Sequence, residues 1–571
     1  MTATTATAAT TTDTAPPCLE TLFGDPRDPA NPLGDAAVLA ADERGELLAR
    51  GEELLRSWGF HAEFVPTALG GRLGAADALV RRLRPVFRRD VSLGLGHGVT
   101  SLMAAVNVWT AGGEAQRRRT ADLLLAGGRL SVAYHEPAHG NDLMRNAFRA
   151  DPHPGGYRLS GTKQLINNIE RADAAVLFAR TDDAGGPRDH SLLLLEPGHL
   201  AAPGLRRLPR TPTSGVRGVR LGGLRADDAT VPADTLLGRA GGGAEHALRS
   251  FQITRAVLPG LAVAPVDTAL RTVTRFARER RLYGTTVAAL PHAASVLAAA
   301  YADLLAADAL ATTAARALHL LPGQASLHTA TTKYLVPRLL ADAMAGLSVV
   351  LGARFYLREG PHALFGKHLR DLPVIALGHA GATACLLTVI PQLPGLARRA
   401  WLEPAQPPAA LFEPAAPLGA LDPDALALTA AGRDDLGALL LAAPDWPELR
   451  AEPALTAPAA ALRELAADSG RIPPRERGPL AGPETFALAE RCALLHAAAA
   501  CLGTWRAAHR RGDPFLGDTA WLRAALLRLT GRLHGRPGPL PEPLTAALTA
   551  ELAARTDEGR SLDLDRVPVL T

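Results

Sequence analysis

Hydrophobic and polar residues alternate with two different periods along this chain, and the change of period divides it. Over residues 35–129, leucine and alanine recur at i, i+3 and i+4 with charged residues on the opposite face, as in AAVLAADERGELLARGEELLRSWGF. This spacing is typical of amphipathic helices. Residues 35–129 are therefore predicted to form an N-terminal helical domain.

Over residues 130–239 the period falls to two. Short runs such as YRLSG, AAVLFART and HSLLLLEPG are bounded by glycine, proline, aspartate and asparagine, which predicts strands of a small central β-barrel or sandwich. Within it, residues 130–181 are predicted as a strand, a polar loop and a second strand, followed by a tight turn at Gly161, Thr162 and Lys163 and a third strand.

The helical period returns over residues 240–402, and the short breaks there favour four antiparallel helices. Residues 403–420 are rich in proline and are predicted to be a surface linker. Residues 421–571 are again amphipathic and alanine-rich, which predicts an appended helical domain. Residues 1–34 begin with MTATTATAATTTDTAPP; its composition leads us to expect a disordered or extended tail and not a signal peptide. The fold class is α+β.

Composition adds mainly exclusions. The 571 residues carry 61 basic and 57 acidic side chains, and this near balance gives no reason to expect a nucleic-acid partner. No run of about 20 uninterrupted apolar residues occurs, so no membrane span is expected. The four cysteines show no CxxC or Cys/His spacing and no HExxH pattern is present, so we expect a cytoplasmic protein without a metal site.

Five motifs, in order, resemble those of the acyl-CoA dehydrogenase family. HEPAHGND at 135–142 is similar to that family's TEPxAGSD loop, and GYRLSGTKQLINNIERADAAVLFART is similar to its GYxLNGTKxWITNxxxAD segment. RERRLYG resembles its RxxFG signature, and ATTKYL and KHLRDLP match two later landmarks. The resemblance implies a helical domain, a β-domain and a four-helix bundle; residues 421–571 resemble the extra helical domain of larger members.

The resemblance also implies an FAD cofactor, whose flavin ring needs hydrogen bonds along its polar edge and a flat wall behind it. Carried over by position, Tyr134, His135 and Asn141 would lie along the flavin edge. Leu165 and Asn167 would lie at its wall and edge, where the family has Trp and Thr. A plainer interpretation is that His135, Asn141 and Asn167 are loop residues that satisfy backbone groups.

Two further cofactor residues are implied by the RxxFG signature. Arg280 would reach the FAD pyrophosphate across a subunit boundary, because the guanidinium suits phosphate, and Tyr283 would accompany it; the alternative is a solvated helix end. The neighbouring adenosine loop, usually QxxGGxG, is SVVLGARF at 348–355. Only Gly352 matches that pattern, and Arg354 stands where the family has a small residue. Since glycine permits close approach because it lacks a Cβ, the backbone here is less suited to close contact with the cofactor.

The family's catalytic glutamate is absent from both of its usual positions. The commoner position lies nine residues after Arg370 of the KHLRDLP motif and holds His379. The other position holds Thr254, which is followed by Arg255. Thr254 and Arg255 are implied to lie near the substrate. His379 is a candidate base, since imidazole titrates near neutral pH.

The implied activity is FAD-dependent α,β-oxidation of an acyl thioester bound to coenzyme A or to an acyl carrier protein. The resemblance also implies an electron-transfer partner and a homo-oligomer, either a dimer or a tetramer. Because the glutamate is missing, two alternatives stay open. The first is a flavin-dependent monooxygenase of the same fold, and the second is a non-catalytic scaffold or partner subunit.

Overall fold

The structure is a computed structural model that describes residues 17–378 and 381–570. Its N-terminal helices are α1 (Leu19–Phe23), α2 (Asp35–Arg44), α3 (Ala49–Ser57), α4 (Ala76–Arg89), α5 (Val91–Gly94), α6 (Thr100–Ala111) and α7 (Glu114–Leu125). A π-helical turn at Leu95–Val99 joins α5 to α6.

Part of the predicted disordered or extended tail is ordered. Leu19 and Phe23 of α1 are buried, and the Arg89 guanidinium lies over the Phe23 ring and donates to the carbonyl of Gly24. The prediction is therefore wrong for this segment because two apolar side chains anchor it on the helical domain. Residues 1–16 lie outside the described residues.

The central domain is an eight-stranded sheet packed on the N-terminal helices and the bundle. Its strands are β1 (Leu130–Ala133), β2 (Arg149–His153), β3 (Gly156–Asn167), β4 (Ala174–Arg180), β5 (His190–Leu195), β6 (Leu205–Leu208), β7 (Leu221–Pro232) and β8 (Leu236–Leu237). The order is β6-β7-β3-β2-β4-β5-β8, and β1 pairs in parallel with β4. The remaining pairs are antiparallel except for a single parallel bridge between β2 and β4.

The turn predicted at Gly161, Thr162 and Lys163 is wrong, since all three lie inside β3. Register shifts against β7 fall between Leu159 and Gly161 and between Gln164 and Ile166. Gly161 has φ +128°, a conformation that glycine adopts without steric cost. The glycine therefore forms a bulge within one long strand, and the bulge bends the strand without reversing it.

The bundle has three long helices and a broken fourth segment. The long helices are α9 (Gly243–Glu279), α10 (Pro291–Leu320) and α11 (Ala325–Leu351), and the short hairpin β9 (Arg281–Leu282) and β10 (Thr285–Thr286) joins the first two. The fourth segment consists of α12 (Ala363–Asp371), α13 (Pro373–Leu377), α14 (Ala382–Val389) and α15 (Leu393–Arg398). Proline or glycine at its breaks explains the interruptions.

The appended domain contains α16 (Asp435–Ala442), α17 (Ala457–Ser469), α18 (Pro483–Arg510), α19 (Thr519–Leu533) and α20 (Glu542–Asp557). The Pro-rich segment before it includes a 3₁₀ turn whose Leu411 and Phe412 are buried. Arg316 of α10 donates to the carbonyls of Ala410 and Ala416. Residues 410–416 of this segment are therefore attached to the bundle.

Buried polar contacts hold the appended domain against the bundle. Asp434, which caps the N-terminus of α16, accepts hydrogen bonds from His328 of α11 at 3.1 Å, His496 of α18 at 2.9 Å and Trp401 at 2.8 Å. The possible ligand atoms of Asp434 and the two histidines lie within 4.8 Å of one another. A cluster of metal-ligand types thus exists, although no sequence spacing predicted it, and the hydrogen bonds already satisfy both carboxylate oxygens.

Six described helical stretches are long and apolar enough to cross a membrane by length and composition alone. The expectation that no such segment exists is therefore not confirmed. The stretches over residues 91–111 and 243–279 are each 94% buried within the protein in their most apolar window, whereas that over 363–398 is 31% buried. Packing inside the fold accounts for the apolar character of the first two.

Candidate active site

A cavity of about 310 Å³ lies where the central sheet meets the N-terminal helices and the bundle. The sheet side is formed by β1, β3 and the loop after β1, and the opposite side by α9, α13 and the π-helical turn. Five residues predicted to contact a flavin line it, namely Tyr134, His135, Asn141, Leu165 and Asn167. Its volume falls at the lower end of the range of roughly 300–1,000 Å³ for ligand pockets.

A buried ion pair fixes the loop that forms one wall of this cavity. Lys163 of β3 donates to Glu136 at 2.7 Å and to the carbonyl of Tyr134 at 3.2 Å. The same carboxylate accepts the backbone N–H groups of Ala147 and Phe148 at 2.8 and 3.0 Å. The two motifs contain both residues but do not by themselves indicate the pair; a lysine and a glutamate in adjoining motifs are the signal that could have predicted it.

The electrostatics of this pair follow from its burial. Burial lowers the pKa of Lys163 to about 8 against the opposing effect of Glu136. Burial acts to raise the pKa of Glu136, but the Lys163 ammonium and the two backbone N–H groups outweigh it and hold that pKa below its usual range. Both groups are therefore charged at neutral pH, and the loop is held by a charge-assisted contact.

Two cavity residues keep buried polar atoms without a hydrogen-bond partner among the described residues. These atoms are Nδ1 of His135 and Oδ1 of Asn167. Asn167 is oriented by donation from its Nδ2 to the hydroxyl of Thr100, which itself donates to the carbonyl of Leu95 in the π-helical turn at 2.9 Å. Because buried polar atoms are normally satisfied, this wall fits a ligand with a polar edge.

Leu165 forms the flat part of the wall. It lies at the second bulge of β3 with φ +57°, and 42% of its surface is exposed. A left-handed conformation is unfavourable for a side chain of this size, and here it turns the leucine towards the cavity. The aliphatic side chain supplies an apolar surface without aromatic stacking.

Tyr134 supports the cavity from below. Its hydroxyl donates to Oδ1 of Asn107 at 2.7 Å, and its ring packs against Phe178 and Phe251. Burial raises the pKa of Tyr134 well above its usual range. The hydroxyl proton therefore stays in the hydrogen bond to Asn107. The predicted contact between Tyr134 and the cofactor is limited to the other atoms of the residue.

The segment that carries the predicted base borders the cavity. Gly378 lines it, and Lys333 of α11 donates to the carbonyls of Ile375 and, at 3.0 Å, of Gly378. On the other side, Asn141 accepts the backbone N–H of Gly381 at 3.1 Å. His379 itself lies outside the described residues. Among the described residues that line the cavity there is no carboxylate.

A second cavity of about 800 Å³ adjoins the first and shares Asn141, Leu143 and Phe251 with it. Arg255 lines this second cavity, is buried, and donates to the hydroxyl of Thr388 at 3.2 Å. Thr254 lines neither cavity, because its buried hydroxyl donates to the carbonyl of Phe251 within α9. The structure thus separates the two residues predicted to lie near substrate.

Arg280 and Tyr283 lie apart from the cavity. They follow the end of α9, and Arg280 lies about 33 Å along the helix from Leu258, a cavity residue, at about 1.5 Å per residue. Arg280 is exposed, and Tyr283, in the β9–β10 turn, has φ +52° and is 92% exposed. Within one chain these residues do not join the other predicted cofactor residues.

The comparisons agree with this architecture. Helices lie on both sides of a small sheet, with a cavity at the junction of all three. The family models for the acyl-CoA dehydrogenase middle domain and C-terminal domain match residues 131–229 and 241–392. These two matched regions are similar to the middle and C-terminal domains of the acyl-CoA dehydrogenase family.

Similar proteins extend the comparison. The glutaryl-CoA dehydrogenase of Desulfococcus multivorans is 27% identical over 344 residues, 58% of this chain and 84% of that protein. An acyl-CoA dehydrogenase complexed with FAD from Bacillus anthracis covers 92% of each chain at a TM-score of 0.69 and 16% identity. The prolyl acyl carrier protein oxidase AnaB covers 62% of this chain and 92% of its own, with a TM-score of 0.56 and 19% identity. The predicted fold, including an appended helical domain, is confirmed.

Proposed function

We propose that the protein is an FAD-dependent enzyme that oxidises an acyl thioester between its α and β carbons. The observation that carries this proposal is the gathering of five predicted cofactor residues around one cavity. The adjoining larger cavity offers a path for the rest of a thioester substrate. Similarity to the acyl-CoA dehydrogenase family supports the same reaction class.

The cavity wall fits a flavin. We assign His135, Asn141 and Asn167 to its polar edge and Leu165 to its apolar face, because two of these residues have buried unpaired polar atoms and the leucine presents a flat apolar surface. When bound, FAD supplies the two-electron acceptor of the reaction. The protein's part is to orient the substrate, exclude water and receive a proton.

We assign the removal of the substrate's α-proton to His379. An α-proton beside a thioester needs a positioned base, and neutral imidazole suits this role near pH 7. Support comes from the neighbours of His379: Gly378 lines the cavity, and the contacts of Lys333 and Asn141 hold the chain on both sides of it.

We further propose that Arg280 and Tyr283 serve the cofactor of a partner subunit in a homo-oligomer. An exposed tyrosine in a left-handed turn is an unfavourable arrangement for a free surface, which supports a contact there.

The described cysteines are unpaired, in keeping with a reducing compartment such as the cytoplasm. AnaB, described as an acyl carrier protein oxidase, supports keeping a carrier protein beside coenzyme A as the thioester carrier.

The test is the visible spectrum of the purified protein. We expect a flavin absorption band at about 450 nm that bleaches when an acyl thioester is added anaerobically. The variant His379→Gln should bleach about 100-fold more slowly, because a general base contributes roughly 10²–10⁴-fold. The exposed His534→Gln variant is the matched control. Full bleaching rates in His379→Gln would refute its role as the base.

A monooxygenase is the second candidate, favoured by the lack of a carboxylate among the described residues that line the cavity. It predicts a flavin band that no thioester bleaches, together with oxygen consumption that depends on an added flavin reductase. Purified protein that lacks the band and does not regain it with added FAD would instead indicate a scaffold subunit.

A further inference from the structure

A further cavity, of about 110 Å³, lies between the N-terminal helices and the end of α9. Its lining comes mainly from the segment 20–35, from α4, from the latter part of α9 and from the residues before α12. It shares no lining residue with the two cavities described above. Organic ligands generally occupy pockets of roughly 300–1,000 Å³, so a cavity of this size suits a small ion.

Arginine is the commonest residue in this lining. The charged side chains are five arginines and three carboxylates, namely Arg27, Arg88, Arg89, Arg271 and Arg275 with Glu20, Asp35 and Glu279. One of the carboxylates, that of Glu20, already accepts a hydrogen bond from Arg88 at 2.7 Å. Because like charges at close range repel one another, an anion among the arginines would compensate their excess charge.

Two of these arginines on α9 have N–H groups that can serve a ligand. Arg271 is 3% exposed, and its Nη2 donates to Asp267 and to the carbonyl of Arg560, both at 2.8 Å. Its Nε and Nη1 are buried without a hydrogen-bond partner among the described residues. Arg275, one turn further along, is half-buried, and only burial and more distant charges act on it. Since buried polar groups are normally hydrogen-bonded, these donors fit a ligand rich in acceptors.

Asp35 gives the same cavity an acceptor. Its Oδ1 is buried without a hydrogen-bond partner among the described residues. Burial raises the pKa of Asp35 to about 6, although the charge of Arg89 opposes this shift. The carboxyl is therefore ionised above that pH, and an ionised carboxylate only accepts hydrogen bonds. Several donors and one acceptor together fit an oxyanion that still carries a proton.

We infer that this cavity is a binding site for hydrogen phosphate, with Arg271 and Arg275 as donors and Asp35 as the acceptor of its O–H group. Guanidinium groups suit phosphate oxygens because they form charge-assisted hydrogen bonds with them. The carboxylate selects against sulfate, which has no proton at neutral pH and would turn an oxygen lone pair towards Asp35. The inference does not rest on the proposed oxidation of thioesters.

The site is separate from the cofactor contacts proposed above. Arg280 and Tyr283 do not line it, and neither does any residue of the segment 348–355. Asp35 comes from the N-terminal segment and Arg271 from the bundle, and Leu570, the last described residue, lines the same cavity. A bound anion would therefore join segments that are far apart in the sequence. A ligand that binds only the folded chain stabilises it by mass action.

The experiment compares two tetrahedral anions that differ in their ability to donate a hydrogen bond. Inorganic phosphate and sulfate are titrated into the full, FAD-saturated protein by isothermal titration calorimetry at constant ionic strength and about pH 7.5, where Asp35 is ionised. Saturation with FAD keeps added phosphate from the cofactor's own phosphate contacts. We expect phosphate to bind about tenfold more tightly than sulfate, because only phosphate can donate to the carboxylate.

Two variants separate the donors from the acceptor. Arg275→Gln should weaken phosphate binding about tenfold and leave the phosphate-to-sulfate affinity ratio within about twofold of the wild-type ratio, because the acceptor is retained. Asp35→Asn should lower that ratio to about one, because a carboxamide can donate to sulfate. Hydrogen bonds are not among the causes of the pKa shift of either side chain, so neither variant removes an internal contact that the fold needs.

The matched control is Arg278→Gln, three residues further along α9. Its side chain pairs with Asp557 at the surface and does not line the cavity, so phosphate affinity should stay within about twofold of the wild type. Wild-type protein that binds no phosphate, a wild-type ratio near one, or an equal loss in Arg278→Gln would overturn the inference. Methyl phosphate should bind more weakly than inorganic phosphate, since its methyl group needs additional room; equal binding would overturn the assignment to the free ion.

Discussion

Removal of either partner of the Glu136–Lys163 pair should release the loop at the cavity wall. Lys163 is fully buried and the Glu136 side chain is 8% exposed, so solvent screens the pair little. Loss of one partner from a buried pair costs about 3–5 kcal/mol. We expect about 3 kcal/mol for Lys163→Met, because Ala147 and Phe148 still donate to the carboxylate, and about 4 kcal/mol for Glu136→Gln.

The double variant Glu136→Gln/Lys163→Met isolates the interaction. It leaves no buried charge, so its cost should be about 3 kcal/mol, well below the sum of the single variants. The loss of unfolding free energy caused by Glu136→Gln alone should become smaller as the pH rises. The pKa of Lys163 is already lowered to about 8, and the unfolded chain binds more protons than the folded one, so stability rises with pH.

The assay is native-state hydrogen exchange at the amides of Ala147 and Phe148, whose protection depends on this carboxylate. The exposed pair Arg44–Glu46, with side chains 59% and 57% exposed, provides the control Glu46→Gln, expected to cost under about 1 kcal/mol. Flavin content measured on the same samples connects the loop to cofactor retention. Additive losses in the double variant, or unchanged protection in either single variant, would refute the role given to the pair.

Three further predictions concern neighbouring elements. The pKa of His496 is raised well above 6.5: burial opposes this, and the carboxylate of Asp434 causes it. The stability lost in His496→Gln should therefore be largest below pH about 6.5 and shrink as pH rises, which melting temperatures across pH can check. Lys333→Met should leave two carbonyls unpaired and slow flavin bleaching about tenfold, with a smaller change in overall melting temperature; an unaltered rate would contradict its positioning role. Arg255→Leu should raise KM for acyl thioesters several-fold, whereas Thr254→Val, in a residue that lines neither cavity, should leave KM within about twofold; equal effects in steady-state assays would argue against this assignment.

The Glu136–Lys163 pair depends on a feature that the motifs do not contain. Both residues lie in motifs quoted from the sequence, and the loop and strand were predicted to form one wall. The pairing needs β3 to continue through the bulge at Gly161, whereas the glycine suggested a turn. Local sequence cannot separate a turn from a bulge when both use a positive φ; only the pairing of β3 with β7 decides it.

The change from helical to strand period, and back, determined the order of the domains, because each period reports which face of a local element is buried. The motifs determined which residues border the smaller cavity. The tertiary structure alone decided the rest. Asp434 meets His328 and His496, and Arg477 of the appended domain lines the larger cavity together with Arg255 of α9, across separations that no periodicity records. Such groups exist only because packing of the appended domain on the bundle brings distant segments together, and the chemistry of the larger cavity depends on that packing.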